Sequence, residues 1–293
     1  MQWNRQYKIK FPEINREYAN TLKIAFEVNK DSTKETNKST LTIWNLSDES
    51  RNQIEVADRK VEIWAGYKDN SGPVRMFVGS VIEVETSDDG KDVTTKLTLS
   101  DGQVAIRDSV VSVSFAPGVG GETVVKYIAD GMGLPVEYGE DVQLASYENG
   151  YSFVGKGGDA LTAICNANGC EWSVQNEIIQ IVLKGRAKAK RGLVFAADSG
   201  LIGSPERLIK APKKEAKKTT KRKKKVAKGK VESQAGWKIK TLLAPTLLPG
   251  DAVKVESRRI TGWFKVESVK HLGDTHEGDW TSEIKLIERL IYE

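Results

Sequence analysis

Thr241–Ser257, TLLAPTLLPGDAVKVES, followed by Trp263–Glu288, WFKVESVKHLGDTHEGDWTSEIKLIE, sets the terms on which the rest of the chain is read. Apolar residues recur at every second position or nearly so through Val253 and Val255, then Phe264, Val266 and Val269, then Trp280, Ile284 and Leu286. That period belongs to half-buried strands of an antiparallel sheet. Leu248-Pro249-Gly250-Asp251 opens the first strand, because Pro249 fixes its own φ and Gly250 accepts a positive one. Gly273-Asp274 and Glu277-Gly278-Asp279 turn the chain between the last two strands. A barrel-like meander is expected here.

Working back to the start, Tyr7, Ile9 and Phe11 alternate, as do Leu22, Ile24, Phe26 and Val28, which predicts two strands joined by a turn through Pro12 to Asn20. Ser39–Asn45 predicts another. Ser47 is placed to cap a short helix over Ser50–Val56, with acidic residues at its first turn. Val61–Tyr67 reads as a strand, and two more flank an Asp89-Gly90 hairpin. Six strands and one short helix make a small β-barrel or curled sheet over residues 1–108.

The texture changes over residues 109–175, where an α/β module is expected. Val124, Val125, Ile128 and Ala129 line one face of a helix that Gly131 or Gly133 closes. A second helix over Gly158–Asn168 turns Leu161, Ala163 and Ile164 inward and ends at Gly169. Beyond it, GCEWSVQNEIIQIVLKG reads as a hairpin turning at Gln175-Asn176-Glu177. PGVGGETV lacks the Gly-Lys-Ser/Thr ending of a phosphate loop and reads as a loop entering a helix. A C-terminal β-barrel domain over residues 176–293 completes the expected plan: mainly β (α+β), two small barrels flanking a middle module.

The net charge of +5 is uneven. Residues 211–230 hold eleven Lys or Arg against one Glu, net +10, which leaves the other 273 residues at −5. This Lys-rich insertion has too little apolar surface to offset the entropy of ordering, so a disordered loop or linker is expected. Lys213, Lys214, Lys217, Lys218, Lys221, Arg222, Lys223, Lys224, Lys225, Lys228 and Lys230 are the candidate contacts to DNA or to an acidic partner. No aromatic residue interleaves them, so base stacking is not indicated.

Other chemistry finds no footing. His271 and His276 lie near Asp274, Glu277 and Asp279, but their odd spacing across a turn suits structural or surface roles better than metal ligation. Cys165 and Cys170 are spaced too widely for a redox pair and are expected as reduced thiols near the end of a buried helix. No nucleophile elbow, zincin motif or carboxylate pair across a cleft is legible, so no catalytic residue, cofactor or metal is assigned. No apolar run reaches the length of a membrane span, and the start has no apolar signal region, which predicts residence in a cytoplasm.

Two patterns carry a resemblance. "T.TIWNLS", "VEIWAGY" and "VRMFVGSVIEVE", with Asn45, Leu46, Ser47, Ala65, Gly66, Tyr67, Phe77, Gly79 and Ile82, precede "LL.P.L.PGD.V.V" and "F.V..V.H.GDT..GDW.T.I" by some 200 residues. This order resembles the baseplate hub proteins of contractile-tailed phages, the Mu-like and late-control D-type family, related to the hub part of type VI secretion spike proteins. The resemblance implies a non-enzymatic homotrimer whose two barrels per subunit form a pseudo-sixfold ring. That ring would join the tail tube, or a tube initiator, to the central spike, around a channel for the tape-measure protein and DNA. Other baseplate proteins would be its neighbours, and the virion its destination after assembly in the host cytoplasm. The Lys-rich run departs from the pattern. The alternative is a cytoplasmic nucleic-acid-binding protein with oligonucleotide-binding-type barrels and a basic arm, which the acidic body disfavours. A tail-borne cell-wall hydrolase would need a catalytic pair the sequence lacks.

Overall fold

The computed structural model describes residues 4–33, 36–70, 72–189, 192–210, 234–276 and 278–290. The N-terminal unit contains β1 (Arg5–Phe11), β2 (Arg16–Ala19), β3 (Ile24–Asp31), β4 (Lys38–Trp44), α1 (Asp48–Ile54), β5 (Lys60–Tyr67), β6 (Gly72–Asp88) and β7 (Val93–Ser100). Its strands run β3-β4-β7-β6-β5-β1-β2, all antiparallel. The alternation read from sequence becomes the pleat, and Ile9, Phe11, Ile24, Leu41, Ile43, Ile54, Ile63, Phe77 and Leu97 are fully buried in one core. Burying each such side chain is worth about 1.5–3 kcal/mol. Ser47 caps α1 as expected, its Oγ accepting from Ser50 N at 3.3 Å.

The segment expected as a plain turn over Pro12–Asn20 contains a strand. Pro12–Ile14 makes one 3-10 turn, Asn15 takes a left-handed φ of 50°, and β2 folds back on β1 with Phe11 opposite Arg16. β3 therefore does not pair with β1 in a hairpin and is free to pair elsewhere.

The middle module holds α2 (Gln103–Asp108), β8 (Val110–Phe115), α3 (Gly121–Met132), β9 (Val136–Tyr138), β10 (Tyr151–Lys156), α4 (Gly157–Ala167), β11 (Cys170–Gln175) and β12 (Ile178–Leu183). α3 and α4 form where their apolar residues predicted, and α3 ends at Gly133. In α4 Leu161 and Ile164 face inward with Ala160 and Cys165, whereas Ala163, expected inward, is exposed because it falls off that face of the helix. β8 pairs with β10, and β9, β12 and β11 form a second small sheet. Ile179 and Ile181 of β12 lie in this module's core, beyond position 175, where the sequence reading ended the module. A hairpin cannot divide its core between two units, so β12 follows β11.

The C-terminal unit holds β13 (Gly192–Ala196), β14 (Leu201–Lys210), β15 (Gln234–Leu242), β16 (Ala252–Glu256), β17 (Thr261–Asp274) and β18 (Trp280–Leu290). Val253, Val255, Val266, Ile284 and Leu286 are fully buried at its centre. The entry turn Leu248–Asp251 is closed by Asp251 Oδ2, which accepts from Leu248 N at 2.8 Å, and Gly250 takes a φ of 90° there.

The two β-rich units follow one path. In chain order, β3, β4, β5, β6 and β7 pair as β3-β4-β7-β6-β5, and β14, β15, β16, β17 and β18 pair as β14-β15-β18-β17-β16. Both copies of the path carry a bulge in the same place, at Ile82 opposite β7 and at Glu267 opposite β18. The units are also continuous. β17 pairs with β3 from Ser268 opposite Asp31 to Asp274 opposite Ala25, fusing them into a single sheet of thirteen strands.

Candidate functional site

The junctions between the units include buried polar contacts. The tip of the β11–β12 hairpin enters a socket on the N-terminal unit. Lys30 Nζ donates to Asn176 Oδ1 at 2.6 Å and stands 3.8 Å from Asp101 Oδ2. Asp101 in turn accepts from Asn176 N at 2.5 Å and Glu177 N at 3.0 Å. Gln175 Nε2 donates to Asp31 O at 2.7 Å. Asn176 and Glu177 both hold positive φ, which turns their N–H groups together onto one carboxylate. Burial drives the Lys30 ammonium down to about 8, opposed by the Asp101 charge, and drives the Asp101 carboxyl upward.

A second buried lysine fastens the other side. Lys265 of β17, 1% exposed, donates to Glu171 Oε1 of β11 at 2.5 Å. His271 of β17, two residues beyond Val269 which faces Lys30, is fully buried, with Nδ1 2.8 Å from Ser282 Oγ. Desolvation, then the nearby Lys30 charge, push His271 down to about 3, so the ring is neutral. Tyr67 closes the N-terminal end of the seam: its hydroxyl donates to Trp280 O at 3.3 Å and accepts from Leu243 N at 3.0 Å. Trp280 and Leu243 themselves sit in the N-terminal core, with Trp280 edge-on to Phe26.

These groups hold units together. His271 is in the core and His276 on the surface, in a turn where its N donates to Asp274 Oδ1. Cys165 and Cys170 are free and buried at the end of α4 and the start of β11. Among the described residues no group of His, Cys, Asp and Glu has the spacing to hold a metal ion, and no helix is long and apolar enough to cross a membrane. The glycine stretch before α3 is the loop into that helix.

The candidate contacts Lys213, Lys214, Lys217, Lys218, Lys221, Arg222, Lys223, Lys224, Lys225, Lys228 and Lys230 lie outside the described residues. Their place in the chain is defined by what flanks them: β14 and β15 form an antiparallel ribbon in which Lys210 faces Gln234, and the run joins those two ends. The residues that sequence reasoning missed are Lys30, Asp101 and Lys265. Their types signal exposed positions, and only the local alternation of β3, which puts Lys30 on the same face as Ile24, Phe26 and Val28, hinted at burial.

A family model described as baseplate hub gp41 matches residues 8–208 of the chain. Among curated proteins none matches it. In fold the chain is similar to the tail protein from Neisseria meningitidis MC58, with a TM-score of 0.66 at 11% identity, covering 98% of this chain and 97% of that one. It is similar also to the 43 kDa tail protein of prophage MuSo2 from Shewanella oneidensis, with a TM-score of 0.64 at 10% identity over 97% and 98% of the two chains. The E. coli c3393 protein, a component of the type VI secretion system, shares the fold with a TM-score of 0.58 at 10% identity over 96% of this chain and 77% of its own. The sequence match runs from β1 through the N-terminal unit and the middle module into β14 at the start of the C-terminal unit, and the chain belongs to the baseplate hub gp41 family.

Proposed function

We propose that three copies of this chain form a ring at the centre of a contractile-tail baseplate, joining the sixfold tail tube to the threefold spike around a channel for tape measure and DNA. The observation that carries this reading is the repeated strand path: each chain offers two like β-rich units in one continuous sheet, so three chains offer six. The buried Lys30 and Lys265 junctions support it, because a ring that transmits force needs its units fixed relative to one another. Residues 1–108, 109–175 and 176–293 would act as barrel, middle module and second barrel, except that α2 and β12 belong to the middle module. The tube or its initiator, the spike, the tape measure and other baseplate proteins are the proposed partners. The role is mechanical and involves no catalysis. Assembly takes place in the host cytoplasm and the finished protein resides in the virion. The Lys-rich run 211–230 would meet DNA or an acidic neighbour.

The test is the solution mass by light scattering at moderate salt, beside a variant lacking residues 212–230. A mass of about three times 32.4 kDa for both is expected. A monomer that binds DNA tightly and loses that binding with the run would replace this reading with that of a nucleic-acid-binding protein.

A further inference from the structure

In the C-terminal unit, one side of β17 is divided between two neighbours. Thr261–Lys265 pair with β16, and Ser268–Asp274, just past the bulge at Glu267, pair with β3. β6 is its counterpart and is divided in the same way. Gly72–Ser80 pair with β5, the bulge falls at Ile82, and Glu83–Asp88 continue along β7 on one side alone. Among the described residues no strand lies on their other side. Burial differs accordingly: Val269, His271 and Gly273 are buried, whereas Glu83, Glu85, Thr86, Ser87 and Asp88 are exposed. At the far end of the sheet the counterpart of β3 is β14, which pairs with β15 only. β3 alternates between buried and half-buried, while β14 is mostly exposed and leaves Ile209 70% accessible.

We propose that these two free edges join across copies: residues 83–87 of β6 in one copy pair antiparallel with the 206–210 end of β14 in the next, as β17 pairs with β3 within a copy. This rests on the ring reading above and names its contact surface. The internal pairing supplies the register. Val81 and Val266 face Leu99 and Leu286, and each is followed by one bulged residue, so Glu83 corresponds to Ser268 and Thr86 to His271. Leu99 faces Ser39 and Leu286 faces Trp237, which in turn faces Arg207. Extending the β3–β4 register to Ser39 makes Val28 the counterpart of Arg207. His271 faces Val28, so Thr86 falls opposite Arg207 and Val84 opposite Ile209.

The chemistry suits that occupant. Half-buried Val84 would cover Ile209, an apolar side chain otherwise left in water. Glu83, Glu85 and Asp88 are acidic, and the edge from 83 to 88 has no basic residue, so two β6 edges repel each other, while β14 brings Arg207 with only one acidic neighbour, Glu206. An open edge of this length otherwise invites indiscriminate pairing. Two different edges meeting head to tail make a heterologous contact, the kind that generates a ring when its rotation closes.

The experiment pairs Val84→Cys with Ile209→Cys in one chain and treats it with a short bis-maleimide; Cys165 and Cys170 are buried and do not compete. Directly opposed Cβ atoms lie about 4.5–5.5 Å apart, within the reagent's span. Covalent dimers and trimers are expected from the double variant and none from either single one. Ile209→Asp, at an exposed position, is expected to return the protein to 32.4 kDa with its far-ultraviolet circular dichroism unchanged. A native oligomer that gives no cross-link and ignores Ile209→Asp would overturn the edge assignment while leaving the ring standing. Cross-linking by Val84→Cys alone would show β6 pairing with itself and overturn it as well. A native monomer with no cross-link would remove both.

Discussion

Lys30 Nζ, on β3 of the N-terminal unit, lies 2.6 Å from Asn176 Oδ1 at the tip of the middle module's hairpin. The lysine side chain is 1% exposed and Asp101, its counter-charge, 0%. Replacing Lys30 by Met leaves that carboxylate buried with only the Asn176 and Glu177 N–H groups to hold it. Breaking a buried pair from one side costs roughly 3–5 kcal/mol. A loss near the lower figure is expected in urea unfolding, since two backbone donors remain.

His271 makes the seam sensitive to acid. Its folded value of about 3 is depressed by burial and by the Lys30 charge, whereas the ring in an unfolded chain titrates near 6.5. Above 6.5 both states are neutral and the group has no effect. Between 6.5 and 3 the unfolded chain binds a proton that the folded one refuses, so stability falls with pH by about 1.4 kcal/mol per unit in that window. His271→Gln should flatten that slope relative to the native protein in unfolding midpoints taken from pH 7 to pH 4.

Asp251 works the other way. Burial raises its carboxyl to about 6, so the folded state holds a proton more firmly than the unfolded one, and stability is lost as pH rises from about 4 through 6. Asn in its place can still accept from Leu248 N and carries no charge to desolvate. Asp251→Asn is expected to stabilise the protein at pH 7.5 by about 1–3 kcal/mol, read as a rise in thermal midpoint that disappears near pH 4.

Gly273 lets β17 approach β3. A Cβ there would lie 2.1 Å from Phe26 Cζ, a ring already fixed against Trp280. Gly273→Ala should therefore cost roughly 1–3 kcal/mol by overpacking, and Phe26→Leu in the same chain should recover part of it. Equal losses in the single and double variants would refute the steric account.

The thiols are expected to be silent in the native protein. Burial, with Cys170 close by, pushes Cys165 up to about 12, and Cys170 is raised as well. Thiolate is the reactive form. Labelling by a thiol reagent at pH 8 should stay negligible until denaturant unfolds the middle module, then reach both cysteines together.

Local pattern carried much of this molecule. The strands of the closing meander, α3, α4 and the turn at Asn176 fall where spacing placed them, and α1 follows its Ser47 cap directly, two residues ahead of the expected Ser50–Val56, because alternation, capping and turn chemistry act within a few residues. β2 escaped notice since REYA is short and its partner β1 sits beyond a left-handed Asn15 that no periodicity reports.

The amino-acid sequence by itself determined the strand-rich class, the helices of the middle module, the separate charge of residues 211–230 and the hub resemblance. Tertiary structure alone decided that β17 lies along β3, that the two units repeat one path, and that Lys30 and Lys265 are interior. Strand pairing runs through backbone N–H and C=O groups, which every residue but proline shares, so a chain's side chains do not name the partner. A lysine is interior only where folding brings it a carboxylate or an amide oxygen from far along the chain. Asp101 and Asn176 reach Lys30, and Glu171 reaches Lys265, only once the sheet has closed.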